Sequence, residues 1–141
     1  MNLAINEAHK ALERGDIPIG CIIIALNGEM YYSSNTAKGP FSHAELIALA
    51  SAGSNARGSS CYITLEPCPM CTWALVTAGV SKIVFGAYDY DYGACGSAYS
   101  LLSHPRAKKV ECYGGILEDE CSGLIKGYFK SRRSWHGNDL P

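Results

Sequence analysis

The stretch that most narrows what this chain can become is Thr64-Leu65-Glu66-Pro67-Cys68-Pro69-Met70-Cys71, where two cysteines follow directly on an apolar, strand-like run. A Cys-x-x-Cys at the start of a helix places both sulfurs on one side of the first turn. The helix dipole and free N–H groups there favour thiolates. Pro69 is tolerated just inside that helix, because the N–H it lacks would have no partner anyway. A second short element, His43-Ala44-Glu45, lies upstream. A neutral His43 with Cys68 and Cys71 makes three ligands for a zinc ion and leaves its fourth position open, the arrangement of a reactive site. Water on such an ion has its pKa lowered to ~7. Glu45 stands two residues from His43, within reach of that water without binding the metal. Either element alone says little: Cys-x-x-Cys also serves redox pairs and structural zinc sites. A purely structural site would need a fourth ligand, for which Cys61, Cys95 or His104 are the candidates.

The rest of the chain reads as the frame for these two elements. Residues 2–14 form a helix with Ala4, Ala8, Ala11 and Leu12 on one face, ended by Gly15. Ile19–Leu26 is a continuous apolar run suited to a strand covered on both faces. Asn27-Gly28 signals a tight hairpin, with Met30-Tyr31-Tyr32 as the returning strand. Residues 33–42 are a loop ending at Ser42, read as an N-cap with Glu45 three residues on. The helix over 43–52 is apolar nearly all round and reads as buried. Cys61–Leu65, the helix Pro69–Ala78 and the strand Lys82–Gly86 form a parallel crossover. Met70, Trp73 and Leu75 are read as core. Residues 87–106, rich in Gly, Tyr and Ser, fit no regular element. Lys109–Tyr113 is a last strand. A final helix over about 117–132 carries Leu117, Cys121, Leu124, Ile125, Tyr128 and Phe129 on one stripe. The expectation is one α/β domain over residues 1–133 with a loose tail over 134–141.

At 141 residues the chain is long enough for a core without disulfides. Its seven cysteines are an odd number, and Cys21, Cys61 and Cys112 fall in apolar runs where a thiol acts as a small hydrophobe. That placement points to a reducing cytosol rather than a secreted disulfide framework. The opening helix carries Glu7 and Glu13, unlike a signal peptide, and no apolar run approaches the ~20 residues of a membrane span. Net charge is −1, which gives no whole-protein attraction to nucleic acid. The basic excess is C-terminal, however, and Lys126, Lys130 and Arg133 share one helical face. That face is either solvated or a nucleic-acid contact. His9 and His136 read as surface residues.

His-x-Glu together with Pro-Cys-x-x-Cys is the signature of zinc deaminases, with the Glu as general acid/base. Over residues 3–133 the chain resembles the bacterial tRNA-specific adenosine deaminases of the cytidine deaminase-like fold. The resemblance runs through Asp16-Ile17-Pro18-Ile19-Gly20, the two metal elements, Val84–Ala87, Asp89, Gly93-Ala94, Gly96-Ser97, His104-Pro105, Val110-Glu111, Gly115-Ile116-Leu117, Glu120-Cys121, Phe129 and Arg132-Arg133. It implies a three-layer α/β/α sandwich around a mixed five-stranded sheet. It also implies hydrolytic deamination of the wobble adenosine in a tRNA anticodon to inosine, by a cytoplasmic homodimer with one zinc per subunit. Transferred position by position, His43, Cys68 and Cys71 bind zinc and Glu45 shuttles protons. Asn35 and the backbone N–H of Ala44 would hold the base, and Asp89 would lie near the anticodon backbone.

Two departures stand out. The segments from Asn35 to His43 and from His43 to Cys68 are shorter than the family pattern. Tyr88 and Asp91 flank Asp89 where basic side chains are common, which weakens a phosphate grip there. Tyr88, Tyr90 and Tyr92 could compensate by stacking on bases, or could line a dimer interface. Two other functions therefore stand beside the first: a zinc deaminase of a free base such as guanine or cytosine, and a zinc-stabilised RNA-binding module without turnover. Glu45 argues against the last, since a structural site has no use for it.

Overall fold

The structure, a computed structural model, describes residues 1–136. Its sheet is assembled from β1 (Gly20–Ile24), β2 (Met30–Ser34), β3 (Ser60–Leu65), β4 (Lys82–Ala87) and β5 (Glu111–Tyr113), in the order β2-β1-β3-β4-β5. The first three strands pair antiparallel, and β3, β4 and β5 run parallel. The mixed five-stranded sheet expected from sequence is therefore the one formed. Asn27-Gly28 makes the hairpin turn, with Gly28 at φ 86°, and Ile24 pairs with Met30 on either side of it.

Helices cover both faces. α1 (Asn2–Glu13) and α4 (Glu118–His136) pack on one, α2 (Ala44–Ala52) and α3 (Pro69–Ala78) on the other. Strand alternation divides the side chains between these layers. Cys21, Ile23, Cys61, Ile63, Ile83 and Phe85 meet Ala44, Ala48 and Leu75 in the larger cluster. On the α1 side, the backbone of α1 lies so close that a Cβ at Gly20 would run into Ala4 O and Ala8 N. A bare strand position is what lets the helix sit down there.

Several local expectations need correcting. His43, not Ser42, is the N-cap of α2. Leu12 is exposed and Ile5 takes its place on the buried face of α1. Leu75 is fully buried, whereas Met70 and Trp73 are only half-buried, as are Leu46, Ile47 and Leu49 of α2. Among the described residues, Leu46, Met70 and Trp73 of the α2–α3 layer are only partly covered and lie outside the core cluster, whereas Leu49 packs against it. Leu117 precedes α4 with a positive φ of 53°. Phe129 is exposed rather than core. The stretch 87–106 contains two short 3-10 turns, Leu101–Ser103 and Pro105–Ala107. α4 continues to His136, so the first residues of the expected tail are helical, and 137–141 lie outside the described residues. His9 is exposed; the side chain of His136 lies outside what the structure describes. Among the described residues no helix is long and apolar enough to cross a membrane.

Candidate metal centre

β3 and β4 are parallel, so both end at the same edge of the sheet, the crevice where open α/β sheets bind ligands. α3 starts there directly after β3, and α2 opens towards the same point. His43 occupies the N-cap of α2 (φ −78°, ψ 143°), and Cys68 the N-cap of α3, with Pro69 as its first residue and Cys71 in its first turn. Neither N-cap side chain caps its own helix. Instead His43 Nδ1 lies 3.4 Å from Cys71 Sγ and 3.7 Å from Cys68 Sγ, and the three donor atoms lie within 4.8 Å of one another. Ordinary zinc bonds at tetrahedral angles separate N and S by about 3.6 Å. The donor set fits zinc.

Among the described residues no fourth His, Cys, Asp or Glu joins the group. Cys61 is buried against Cys21, sulfur to sulfur 3.6 Å. Cys95 lies beside Thr72 Oγ1 at 3.7 Å, and His104 sits edge-on to Trp73. A closed structural site is not built here. A hydrogen bond from the Cys71 thiol holds Cys68 down to about 5, and that same bond pushes Cys71 up. The pair therefore carries a thiolate readily.

The metal group opens on a cleft of about 650 Å³, lined by His43, Cys68, Glu45 and Asn35 and walled by residues from the 88–92 loop and α4. Glu45 is only 4% exposed. Burial pushes its carboxyl up to about 7, a value suited to taking and returning protons near neutrality. It borders the metal group without belonging to it, as general acid/base work requires.

Asn35 continues the β1–β2 ladder by one residue, its N–H donating to Ile19 O at 3.0 Å, and so reaches the cleft. Its Oδ1 accepts the N–H of Ala44 at 2.8 Å. Ala44 is fully buried, and its N–H fixes the Asn35 side chain at the cleft. Asp89 lines the cleft, while its Oδ1 accepts the N–H groups of Asp91 and Tyr92, each at 3.1 Å. Its carboxylate shapes the tyrosine-rich loop as well as the rim.

Glu66, between β3 and Cys68, has a role that the sequence alone does not show. It is 2% exposed and accepts N–H bonds from Asp89, Cys95 and Ser97, each at 3.1 Å. The residue just after β3 thus suspends the whole 88–97 loop over the cleft. Gly93 belongs to the same joint, since a Cβ there would collide with the Glu66 carboxylate. A glutamate directly after an apolar strand was the available signal, but its partners lie 23 to 31 residues away in the chain.

A family profile described as the cytidine and deoxycytidylate deaminase zinc-binding region matches residues 1–87. The tRNA-specific adenosine deaminase of Bacillus subtilis (strain 168) is 37% identical over 94% of this chain and 88% of its own length. That of Aquifex aeolicus (strain VF5) is 32% identical over 95% and 94%. A solved structure from studies of A-to-I editing by tRNA:A34 deaminases at the wobble position of transfer RNA superimposes with a TM-score of 0.77. It has 32% identity and covers 88% of this chain and 96% of the other.

Proposed function

This chain belongs to the zinc-binding cytidine and deoxycytidylate deaminase family, and from that premise we propose that it converts the wobble adenosine of a tRNA anticodon to inosine by hydrolysis. The observation that carries the reading is the His43, Cys68 and Cys71 group with the buried Glu45 beside it, in a chain similar along nearly its whole length to tRNA-specific adenosine deaminases.

His43, Cys68 and Cys71 would hold the zinc. When bound, zinc supplies a water acidified enough to act as a nucleophile at neutral pH. Glu45 takes one proton from the attacking water and hands it to the ring nitrogen beside C6 as the C6–O bond forms. It then carries the remaining proton of the new hydroxyl to the amine, so the C6–N bond breaks and ammonia leaves. A carboxyl that titrates near neutrality can perform both transfers. Asn35, held by Ala44, presents its amide to the base, and Asp89 sits at the cleft mouth towards the RNA. Ile17, Ile19 and Leu65 give the cleft apolar walls that exclude water around a flipped base.

The homodimer is part of this proposal. Leu46, Met70 and Trp73 on the α2–α3 layer stay half-buried outside the core cluster, an apolar surface suited to a second copy. We also place the protein in the cytoplasm, where its substrate is made and thiol ligands stay reduced.

Ammonia release by the zinc-loaded protein tests the reading. The substrates are an anticodon stem-loop with a wobble adenosine and, beside it, free bases and nucleosides. Turnover on the stem-loop is expected. Turnover confined to a free base would overturn the substrate assignment.

A further inference from the structure

The tyrosines of the 88–92 loop are not scattered over the surface. Phe85, 3% exposed on β4, meets Tyr88 edge-on, with ring centroids 5.2 Å apart and planes at 88°. Tyr88 in turn stacks on Tyr90 at 6.2 Å with planes 19° apart. The three rings form a column rooted in the core and rising to the rim of the cleft. Gly114 makes room for its base, since a Cβ there would press on both the Phe85 and Tyr88 rings. Exposure grows along the column, from 38% at Tyr88 to 76% at Tyr90. Tyr90 thus has one face held by Tyr88 and the rest of its ring open at the cleft edge.

The backbone beneath is held as firmly. The N–H of Asp89 is fixed by Glu66, and those of Asp91 and Tyr92 by Asp89. A ring already oriented loses little freedom when something stacks on it.

Charge decides what that something is. Among the described residues the cleft is lined by Glu45, Glu66, Asp89 and Asp91 and by no Lys or Arg, so a phosphate is not drawn in. Lys126 and Lys130 each follow in sequence an α4 residue that lines the cleft, Ile125 and Phe129. Both lysines are exposed and pair with no described residue. A nucleic-acid strand fits with its bases towards the rings and its backbone outside the acidic rim.

We propose that the open face of Tyr90 receives an unpaired base next to the adenosine being deaminated, as the next member of the Phe85–Tyr88–Tyr90 column. This rests on the RNA-substrate reading above. It makes Tyr90 a residue that grips the substrate through any base, because every base offers a π-face.

KM and kcat of the zinc-loaded protein, measured on three stem-loops, provide the test: one intact, and two with the base removed on one or the other side of the target adenosine. Tyr90→Ala is expected to raise KM on the intact stem-loop by about tenfold, in the range for one base on one ring, while Tyr90→Phe stays near wild type. Removing the stacked base should raise the wild-type KM similarly and add nothing further in Tyr90→Ala. An unchanged KM in Tyr90→Ala, or losses that multiply for both abasic substrates, would overturn the column. So would a Tyr90→Ala protein whose defect is a changed oligomeric state, which would make the face a contact between copies. A wild type silent on the intact stem-loop would instead sink the RNA reading, and this inference with it.

Discussion

At the scale of single residues, the site depends on atoms that share surroundings but not roles. His43 Nδ1 and the two sulfurs face one another, while the Glu45 carboxylate borders them in a buried position. Glu45→Ala should therefore keep its zinc and its fold and lose turnover by on the order of 100- to 10,000-fold, the usual share of general acid/base catalysis. Metal content measured beside activity checks this, and full turnover in the variant would remove Glu45 from the chemistry. Cys68→Ala should lose the metal and stability together; a variant that still holds one zinc per chain would take Cys68 out of the ligand set. Asn35 has a double task, because its Oδ1 satisfies the fully buried N–H of Ala44. Asn35→Ala should raise KM and also cost about 1–3 kcal/mol of stability, the penalty of a buried donor left without a partner. Thermal unfolding and kinetics on the same sample separate the two effects.

At the scale of elements, two helix starts and one strand end make the site, and one loop completes it. Glu66 joins them: it follows β3, precedes the Cys68 turn, and accepts three N–H bonds from residues 89–97. Glu66→Ala should destabilise the fold by about 3 kcal/mol, given the strength of hydrogen bonds to a charged group. For a chain of this length, a melting temperature about 10 °C lower is expected. A melting curve unchanged from wild type would show the loop is held by something else. The metal elements and all five strands could be read from the sequence because each is a local pattern: Cys-x-x-Cys at a helix start, period-2 or continuous apolar runs, an Asn-Gly turn. The Glu66 joint could not, because it links residues 23 to 31 apart, and the Asn35–Ala44 bond could not, because it closes an irregular loop between β2 and α2 that no local pattern specifies. The apolar pattern of α2 was legible as apolar, but periodicity does not say whether the covering surface belongs to the same chain. The reading of α2 as buried therefore meets partial exposure at Leu46 and Ile47, while Leu49 packs against the core cluster.

At the scale of the whole molecule, charge and shape assign separate jobs to separate surfaces. The cleft is acidic and apolar, and beside it α4 carries the exposed Lys126, Lys130 and Arg133. Changing all three to Glu should weaken stem-loop binding and reduce the slope of log affinity against log salt by about 2 if each contacts one phosphate of a single-stranded segment. An unchanged slope would return that face to solvent. The half-buried apolar side of α2 and α3 predicts a dimer by sedimentation, and Leu46→Glu should shift it to monomer. Hydrolysis at the wobble base of a tRNA can be read in a single reaction. Full-length tRNA with an encoded wobble adenosine is incubated with the zinc-loaded protein in heavy-oxygen water, and the nucleoside at that position is read by mass spectrometry. Inosine carrying one heavy oxygen, formed by wild type and absent with Glu45→Ala, is the expected result. Unchanged adenosine at that position, or inosine without the label, would contradict it.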